Sequence, residues 1–201
     1  MAKKNSEFQI RGINHLALVC RDMERTVDFY TNVLGMPLIK TIEFPEGAGQ
    51  HFFFDIGNGD SLAFFWFPDA PEPAPGVSSP KALPGQGELT TAIASMNHIA
   101  FDVPADEIEE YARRLIDRGI ECSPIINHDR SERGISKEMT DDVFIRSVYF
   151  FDPDGILLEF ACWTGKLTDA DVSHAPARAR RATESTAAAD KALATAAPAA
   201  R

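Results

Sequence analysis

The stretch INHLALVC at residues 13–20 decides the fold, because the chain repeats it as MNHIAFDV at residues 96–103. Residue types alternate along both copies, which is typical of a β-strand with two different faces. The alternation predicts that His15 and His98 occupy the same face of their strands, with the asparagine before each histidine on the opposite face. A histidine therefore recurs at one structural position in two copies of a unit.

A second matched pair of stretches follows each copy: GNGDSLAFF at residues 57–65 and DPDGILLEF at residues 152–160. Each is typical of a turn that leads into a strand. The second places Glu159 inside an apolar strand, where an unpartnered carboxylate would cost several kcal/mol, so a cation or a strong donor is expected beside it. We therefore expect His15, His98 and Glu159 to meet on one metal ion.

The order of elements predicts an α+β fold of two tandem βαβββ modules. In each module a helical stripe and three β-like stretches follow the repeated strand. The modules are expected at residues 10–67 and 94–165, with a proline- and glycine-rich connector at 68–90. A single helix covers one face of each sheet. The other faces of the two curved mixed sheets are expected to close into a cup, within one domain at 10–165.

The ends of the first helix and of the chain are also predicted. Asp22 is a suitable N-cap for the first helix, and Gly35 is placed to end it. Residues 1–9 are expected to be a flexible N-terminus. Alanine dominates residues 166–201 without an apolar stripe, so we expect a disordered tail.

Charge and cysteine content limit the partners. The 201 residues carry 20 Lys and Arg against 30 Asp and Glu, a formal charge of −10, which argues against nucleic acid and anionic membrane surfaces as partners. A small-molecule substrate is expected instead. The three cysteines are widely spaced and form no CxxC motif, as in reduced core residues. We therefore expect a cytoplasmic protein.

The repeated NHLAL and NHIAF strands, DFYTNVLGM at residues 28–36 and DPDGILLEF resemble the vicinal oxygen chelate superfamily. This superfamily includes glyoxalase I, extradiol dioxygenases, and fosfomycin and bleomycin resistance proteins. The resemblance covers roughly residues 8–165 and implies a metal ion in the cup. It implies four ligand positions, which here are His15, Ala63, His98 and Glu159. Alanine cannot bind a metal, so the remaining three resemble the 2-His-1-carboxylate triad of non-haem Fe(II) oxygenases.

The resemblance also implies residues that take part in the chemistry. Tyr149 lies ten residues before Glu159, as a tyrosine does in extradiol dioxygenases. Two histidines of that signature are missing from their usual positions, and we expect His128, or with less support His51, to act as the proton carrier. The charged insertion at residues 128–142 is expected to cover the mouth of the cup.

The resemblance implies an Fe(II)-dependent, ring-cleaving dioxygenase of extradiol type that acts with O2 on a catechol-like aromatic compound in aromatic catabolism, as a homodimer. Two alternatives stay open. One is a redox-inert isomerase, lyase or thiol transferase of the same superfamily, and the other is a protein that binds and sequesters an antibiotic. The ligand set alone also suits Mn²⁺, Zn²⁺ or Ni²⁺ in place of Fe²⁺.

Overall fold

The structure, a computed structural model, describes residues 7–178. Its strands are β1 (His15–Cys20), β2 (Leu38–Glu43), β3 (Gln50–Gly57), β4 (Asp60–Trp66), β5 (Ile99–Asp102), β6 (Ile126–Asp129), β7 (Val143–Phe151) and β8 (Leu157–Trp163). Its helices are α1 (Met23–Asp28), continued by a π-helical segment (Phe29–Val33), and α2 (Ile108–Asp117), with short 3₁₀ segments at Pro45–Gly47 and Asp169–Asp171. Most of the predicted tail and of the flexible N-terminus, residues 179–201 and 1–6, lies outside the described residues.

The chain divides into two compact units. The described residues 7–167 form the main unit, and residues 168–178 belong to the second unit. In this second unit the backbone N–H and hydroxyl of Thr168 donate hydrogen bonds of 2.6 and 3.0 Å to Oδ2 of Asp171. These bonds cap the short 3₁₀ segment there.

The main unit contains two four-stranded mixed sheets with the same strand order. Sheet one has the order β1-β4-β3-β2, and sheet two has the order β5-β8-β7-β6. In each sheet the first strand pairs in parallel with the last, and the other pairs are antiparallel. The predicted α+β fold of two βαβββ modules is therefore confirmed.

The helices follow their sequence signals. The Asp22 side chain accepts a hydrogen bond of 3.0 Å from the backbone N–H of Arg25 and so caps α1. Gly35, which ends the helical segment, has a φ of +76°, a value that favours glycine. Helix α2 buries Ile108, Ala112 and Leu115, which lie on one face at helical spacing. Neither helix among the described residues is long and apolar enough to cross a membrane.

One hydrophobic core joins the helix-bearing faces of both sheets. Its fully buried members are Tyr30, Phe54, Leu62, Phe64, Phe150 and Leu158. At the centre the Tyr30 hydroxyl donates a buried hydrogen bond of 3.1 Å to Oδ2 of Asp152, which links the first module to the second. Because side chains alternate along a strand, the faces that carry His15 and His98 point away from this core. The predicted closure of these two faces on each other is therefore not a contact within the single chain.

The connector contacts sheet two. Residues 67–98, all of them described, contain no helix or named strand. Leu83 is nevertheless only 2% exposed and packs with Tyr149 and Leu157, on the face of sheet two that lies opposite the core. The connector therefore covers part of the face that carries Glu159.

The charged insertion folds back along β6. The backbone N–H of Ser136 donates to the carbonyl of Asn127 at 2.8 Å, and that of Asp129 donates to Gly134 at 3.2 Å. These bonds hold the insertion beside its own strand. Its predicted role as a cover over the substrate stays a prediction.

Candidate metal centre

His98 and Glu159 lie together at one edge of sheet two. Parallel pairing of β5 with β8 puts Ala100 beside Glu159, and His98 precedes β5 on the same face. Nε2 of His98 lies 2.9 Å from Oε2 of Glu159. Glu159 is only 3% exposed, whereas 36% of the His98 side chain is exposed. His98 is thus the partner that the buried carboxylate was expected to have.

Tyr149 and Ser147 complete the polar group on this face. Antiparallel pairing of β7 with β8 puts Tyr149 directly opposite Glu159. The Tyr149 ring contacts the His98 ring edge-on, with 5.7 Å between their centroids. Ser147 is fully buried two residues earlier, and its hydroxyl lies beside Glu159 and Tyr149. Three polar side chains, those of His98, Tyr149 and Ser147, therefore surround the carboxylate.

The charges of this group are set by burial and by close donors. Burial raises the pKa of Glu159, but hydrogen bonding from His98 and Ser147, together with the charge of His98 and the Tyr149 hydroxyl, outweighs it and leaves the pKa below its ordinary value. Burial and the negative charge of Glu159 raise the pKa of Tyr149 to about 12. At neutral pH a carboxylate anion therefore lies beside a protonated phenol that can donate a hydrogen bond.

Sheet one carries the same arrangement without the polar groups. The His15 ring contacts the Phe53 ring edge-on, with 5.6 Å between the centroids, as His98 contacts Tyr149. Phe53 pairs with Ala63, as Tyr149 pairs with Glu159. Phenylalanine and alanine thus replace tyrosine and glutamate at matching positions.

The expected trio does not come together within one chain. No group of three His, Cys, Asp or Glu side chains that could hold a metal is found among residues 7–178. His98 and Glu159 meet, but His15 lies on the face of sheet one beside Phe53. The physical reason is the shared core, which joins the two sheets by their opposite faces. Imidazole nitrogens and carboxylate oxygens are common ligands of divalent transition metals, so this pair could supply two of the three expected ligands.

The two asparagines before the histidines were predicted on the wrong side. Strand β1 begins at His15 and β5 at Ile99, so Asn14 and Asn97 precede the strands and are not bound by their alternation. Each amide oxygen instead lies 2.8 Å from Nδ1 of the adjacent His15 or His98 ring. The repeated Asn-His pair in the sequence was the signal that could have indicated this contact.

His51 lies among aromatic rings of sheet one. It is 8% exposed and stacks on Phe65, with 3.7 Å between the ring centroids and 4° between the planes. Its ring also contacts Phe53 edge-on, and Nδ1 donates to the carbonyl of Phe64 at 3.1 Å. In one chain it is therefore a buried member of an aromatic face.

His128 lies on the same face of sheet two as Tyr149 but at another level. It pairs with Ile145, and Tyr149 is four residues further along β7, which is about 13 Å at the rise of a strand. Its Nε2 is buried without a hydrogen-bond partner among the described residues. The structure thus places this imidazole away from the His98–Glu159 pair, with one nitrogen unused.

These features agree with a comparison against known families. Residues 12–160 match the Glyoxalase/Bleomycin resistance protein/Dioxygenase superfamily. The match spans both modules, so the chain belongs to this superfamily. Members of this superfamily are mostly metal-dependent enzymes.

Three relatives illustrate how diverse the superfamily is. The uncharacterized protein YwkD of Bacillus subtilis is 27% identical over 75% of this chain and 95% of its own. The metallothiol transferase FosB of Lysinibacillus sphaericus is 28% identical over 80% of this chain and 86% of its own. MhqE of Bacillus subtilis, described as a candidate ring-cleaving dioxygenase, is 28% identical over 56% of this chain but only 33% of its own. A transferase and a dioxygenase candidate thus share the same identity with the chain, although the match to the transferase covers far more of both proteins.

A solved structure agrees with the fold. The glyoxalase family protein from Enterococcus faecalis superimposes with a TM-score of 0.53 and 24% identity, over 77% of this chain and 99% of its own. This similarity supports the two-module fold alone.

Proposed function

We propose that the chain is an Fe(II)-dependent dioxygenase of extradiol type, which cleaves the ring of a catechol-like aromatic compound in the cytoplasm. The observation that carries the proposal is the His98–Glu159 pair with a protonated Tyr149 opposite the carboxylate. This group offers a metal two ligands and offers a bound substrate one hydrogen-bond donor.

The third ligand is proposed to come from a second copy of the chain. His15 lies on an exposed face of the edge strand β1, where Ala17 and Val19 are also exposed. The face of β5 beside His98 is exposed as well. If sheet one of one copy closes on sheet two of another, each copy gives His15 to one site and the His98–Glu159 pair to the other. A homodimer would then hold two identical sites.

The completed site would hold the metal through His15, His98 and Glu159. These are the donors of a facial triad, which suits Fe²⁺ and also accepts Mn²⁺, Zn²⁺ or Ni²⁺. An Fe²⁺ ion held there would supply the redox chemistry that lets O2 react with a neighbouring diol.

The residues around the pair are suited to an aromatic ring. In the proposed dimer the Tyr149 hydroxyl, which stays protonated, donates a hydrogen bond to a substrate oxygen. The facing surface of sheet one is aromatic, because His15 and His51 lie against Phe53 and Phe65. A flat ring can pack between such side chains while its hydroxyls point to the polar group of sheet two.

The proton carrier is proposed to be His128 or His51. His128 has a free nitrogen on the correct face, but a substrate must extend along the sheet to reach it. His51 lies on sheet one, and the dimer would bring it to the site of the second copy.

A redox-inert thiol transferase, isomerase or lyase is the second candidate. Among the described residues, His98 is the one imidazole that contacts Tyr149 and Glu159. If His98 binds the metal, no second imidazole among residues 7–178 of the same chain lies there to take a proton from a catechol. The similarity to FosB also covers most of both chains.

Oxygen uptake separates these candidates. Protein loaded anaerobically with Fe²⁺ should consume O2 with members of a catechol panel and form coloured ring-cleavage products. The Zn²⁺-loaded protein and the Glu159→Ala variant serve as controls and should consume none. If no catechol supports uptake, while Mn²⁺-loaded protein adds a thiol to an epoxide or isomerises a thiol adduct, the second candidate is correct.

A further inference from the structure

The amide of Asn97 connects the His98 ring to the connector. Its oxygen lies 2.8 Å from Nδ1 of His98, and its nitrogen donates to the backbone carbonyl of Leu89 at 2.7 Å. A backbone carbonyl can only accept, so the nitrogen of the amide must face Leu89 and the oxygen must face the ring. An amide oxygen can also only accept. Nδ1 of His98 therefore carries a hydrogen and donates it to Asn97.

Module one repeats the contact between asparagine and histidine. Oδ1 of Asn14 lies 2.8 Å from Nδ1 of His15, the same distance as between Asn97 and His98. Each ring is therefore held by the residue just before it, at both positions where the sequence repeats. The recurrence argues for a role tied to the imidazoles themselves, since the surroundings of the two rings differ in their other residues.

The consequence concerns the other ring nitrogen. With Nδ1 committed to Asn97, Nε2 is the nitrogen that faces Glu159, at 2.9 Å from Oε2. A histidine that binds a metal through one nitrogen commonly donates the N–H of the other to a nearby acceptor, which fixes the tautomer and the orientation of the ring. A carbonyl group in the connector therefore assigns Nδ1 of His98 as the donor to Asn97, and it leaves Nε2, which contacts Glu159 in this structure, as the nitrogen that a metal would bind.

We propose that Asn97 is a positioning residue, whose amide oxygen fixes the tautomer and orientation of His98 for a metal, while the bond from its amide nitrogen to Leu89 sets which way the amide faces. This inference rests on the proposed metal-dependent function. It predicts that the acceptor oxygen of residue 97 matters for metal affinity more than the size of its side chain does.

Two substitutions separate the acceptor from the side chain's shape. Asn97→Leu removes the acceptor oxygen but keeps a side chain of similar size. Asn97→Asp keeps an acceptor oxygen but removes the N–H that donates to Leu89. Asn32→Leu is a matched control, because the Asn32 amide also donates a hydrogen bond, here of 2.7 Å to the Asp28 side chain, but on the exposed surface of the first helix. Zn²⁺ affinity is measured for the full chain by competition with a coloured chelator, and thermal unfolding without metal checks the fold.

We expect Asn97→Leu to weaken Zn²⁺ binding about 10- to 100-fold, the usual cost of losing such an outer contact. Asn97→Asp should retain affinity within a few-fold of the wild type, and Asn32→Leu should match the wild type. In Zn²⁺-loaded protein labelled with ¹⁵N-histidine, the Nδ1–H of His98 should give an exchange-protected signal, identified by its loss in His98→Gln. The signal should persist in Asn97→Asp and exchange rapidly in Asn97→Leu.

The possible failures can be told apart. Equal Zn²⁺ affinity of wild type and Asn97→Leu would overturn the positioning role and leave the proposed function intact. Equal losses in Asn97→Leu and Asn97→Asp would also overturn it, since the donor to Leu89 would then be what matters. Failure of the wild type itself to bind Zn²⁺, Fe²⁺ or Mn²⁺ would overturn both proposals.

Discussion

At the scale of single residues, the two modules show which side chains each sheet position can hold. Phe53 opposite Ala63 in sheet one corresponds to Tyr149 opposite Glu159 in sheet two. Both versions keep the edge-on contact between the histidine and the aromatic ring. The polar residues of sheet two are therefore not required by the fold, and substitutions there can be designed after sheet one.

Tyr149→Phe tests the role of the hydroxyl. We expect the variant to fold and to bind metal like the wild type, because sheet one already holds phenylalanine at this position. Turnover should fall on the order of a hundredfold, the scale of a lost hydrogen-bond donor in a buried site. Steady-state kinetics with the catechol that the wild type cleaves provides the measurement. Full activity would remove Tyr149 from the mechanism.

The sequence predicted part of this residue set. Because Glu159 lies in an apolar strand, the sequence predicted that a cation or a donor would contact its carboxylate, and in the structure His98 does so. The separation of His15 from this pair was not predictable, because alternation assigns a residue to a face and does not say which faces pack together. Ser147 was missed, since a serine in an apolar strand carries no spacing signal.

At the scale of elements, the strands and helices followed their patterns more closely than the irregular segments did. The first β-like stretch after helix α2 becomes a strand only at Ile126, where β6 begins. Pro124 has no N–H to donate to a sheet, which delays the pairing. The connector was predicted from its prolines and glycines, yet Leu83, one of its two leucines, is buried against sheet two.

Leu83→Ala tests the contact between the connector and sheet two. Removing a buried leucine side chain should lower the free energy of unfolding by about 2–5 kcal/mol. Ile93→Ala is the matched control, since Ile93 lies in the same segment and is 101% exposed, so its loss should change stability by less than about 0.5 kcal/mol. Urea unfolding measures both. Equal effects would show that the connector is not held by Leu83.

The buried link between Tyr30 and Asp152 should make stability depend on pH. Burial raises the pKa of Asp152 from 3.8 to about 6, although two backbone N–H groups and the Tyr30 hydroxyl donate to the carboxylate. The folded chain thus holds this proton more tightly than the unfolded chain. This contribution to the free energy of unfolding is on the order of 3 kcal/mol. It is fully present below about pH 4 and is lost as the pH rises through about 6.

Asp152→Asn should remove this dependence, because an amide does not titrate. The difference in free energy of unfolding between wild type and variant should therefore change in favour of the variant between about pH 4 and pH 7. Urea unfolding of both proteins across that range measures the difference. A constant difference would mean that Asp152 keeps an ordinary pKa in the folded chain.

At the scale of the whole molecule, the packing of the modules is the basis of the proposed dimer. One face of each sheet packs into the core that joins the two modules of the chain. The opposite faces, which carry the histidines, are the ones that we propose to meet a second copy. No property of one module's sequence reveals this choice, because both faces of each sheet carry apolar residues.

Complementation between two inactive chains tests this account most directly. His15→Ala and Glu159→Ala should each bind almost no Fe²⁺ or Zn²⁺ as homodimers. Coexpressed chains that pair at random should form one intact site in each mixed dimer, and so recover about one quarter of an ion per chain, against one per chain in the wild type. The account predicts this partial recovery of metal. Mixed dimers that bind no metal, or either single variant with its full metal content, would contradict it.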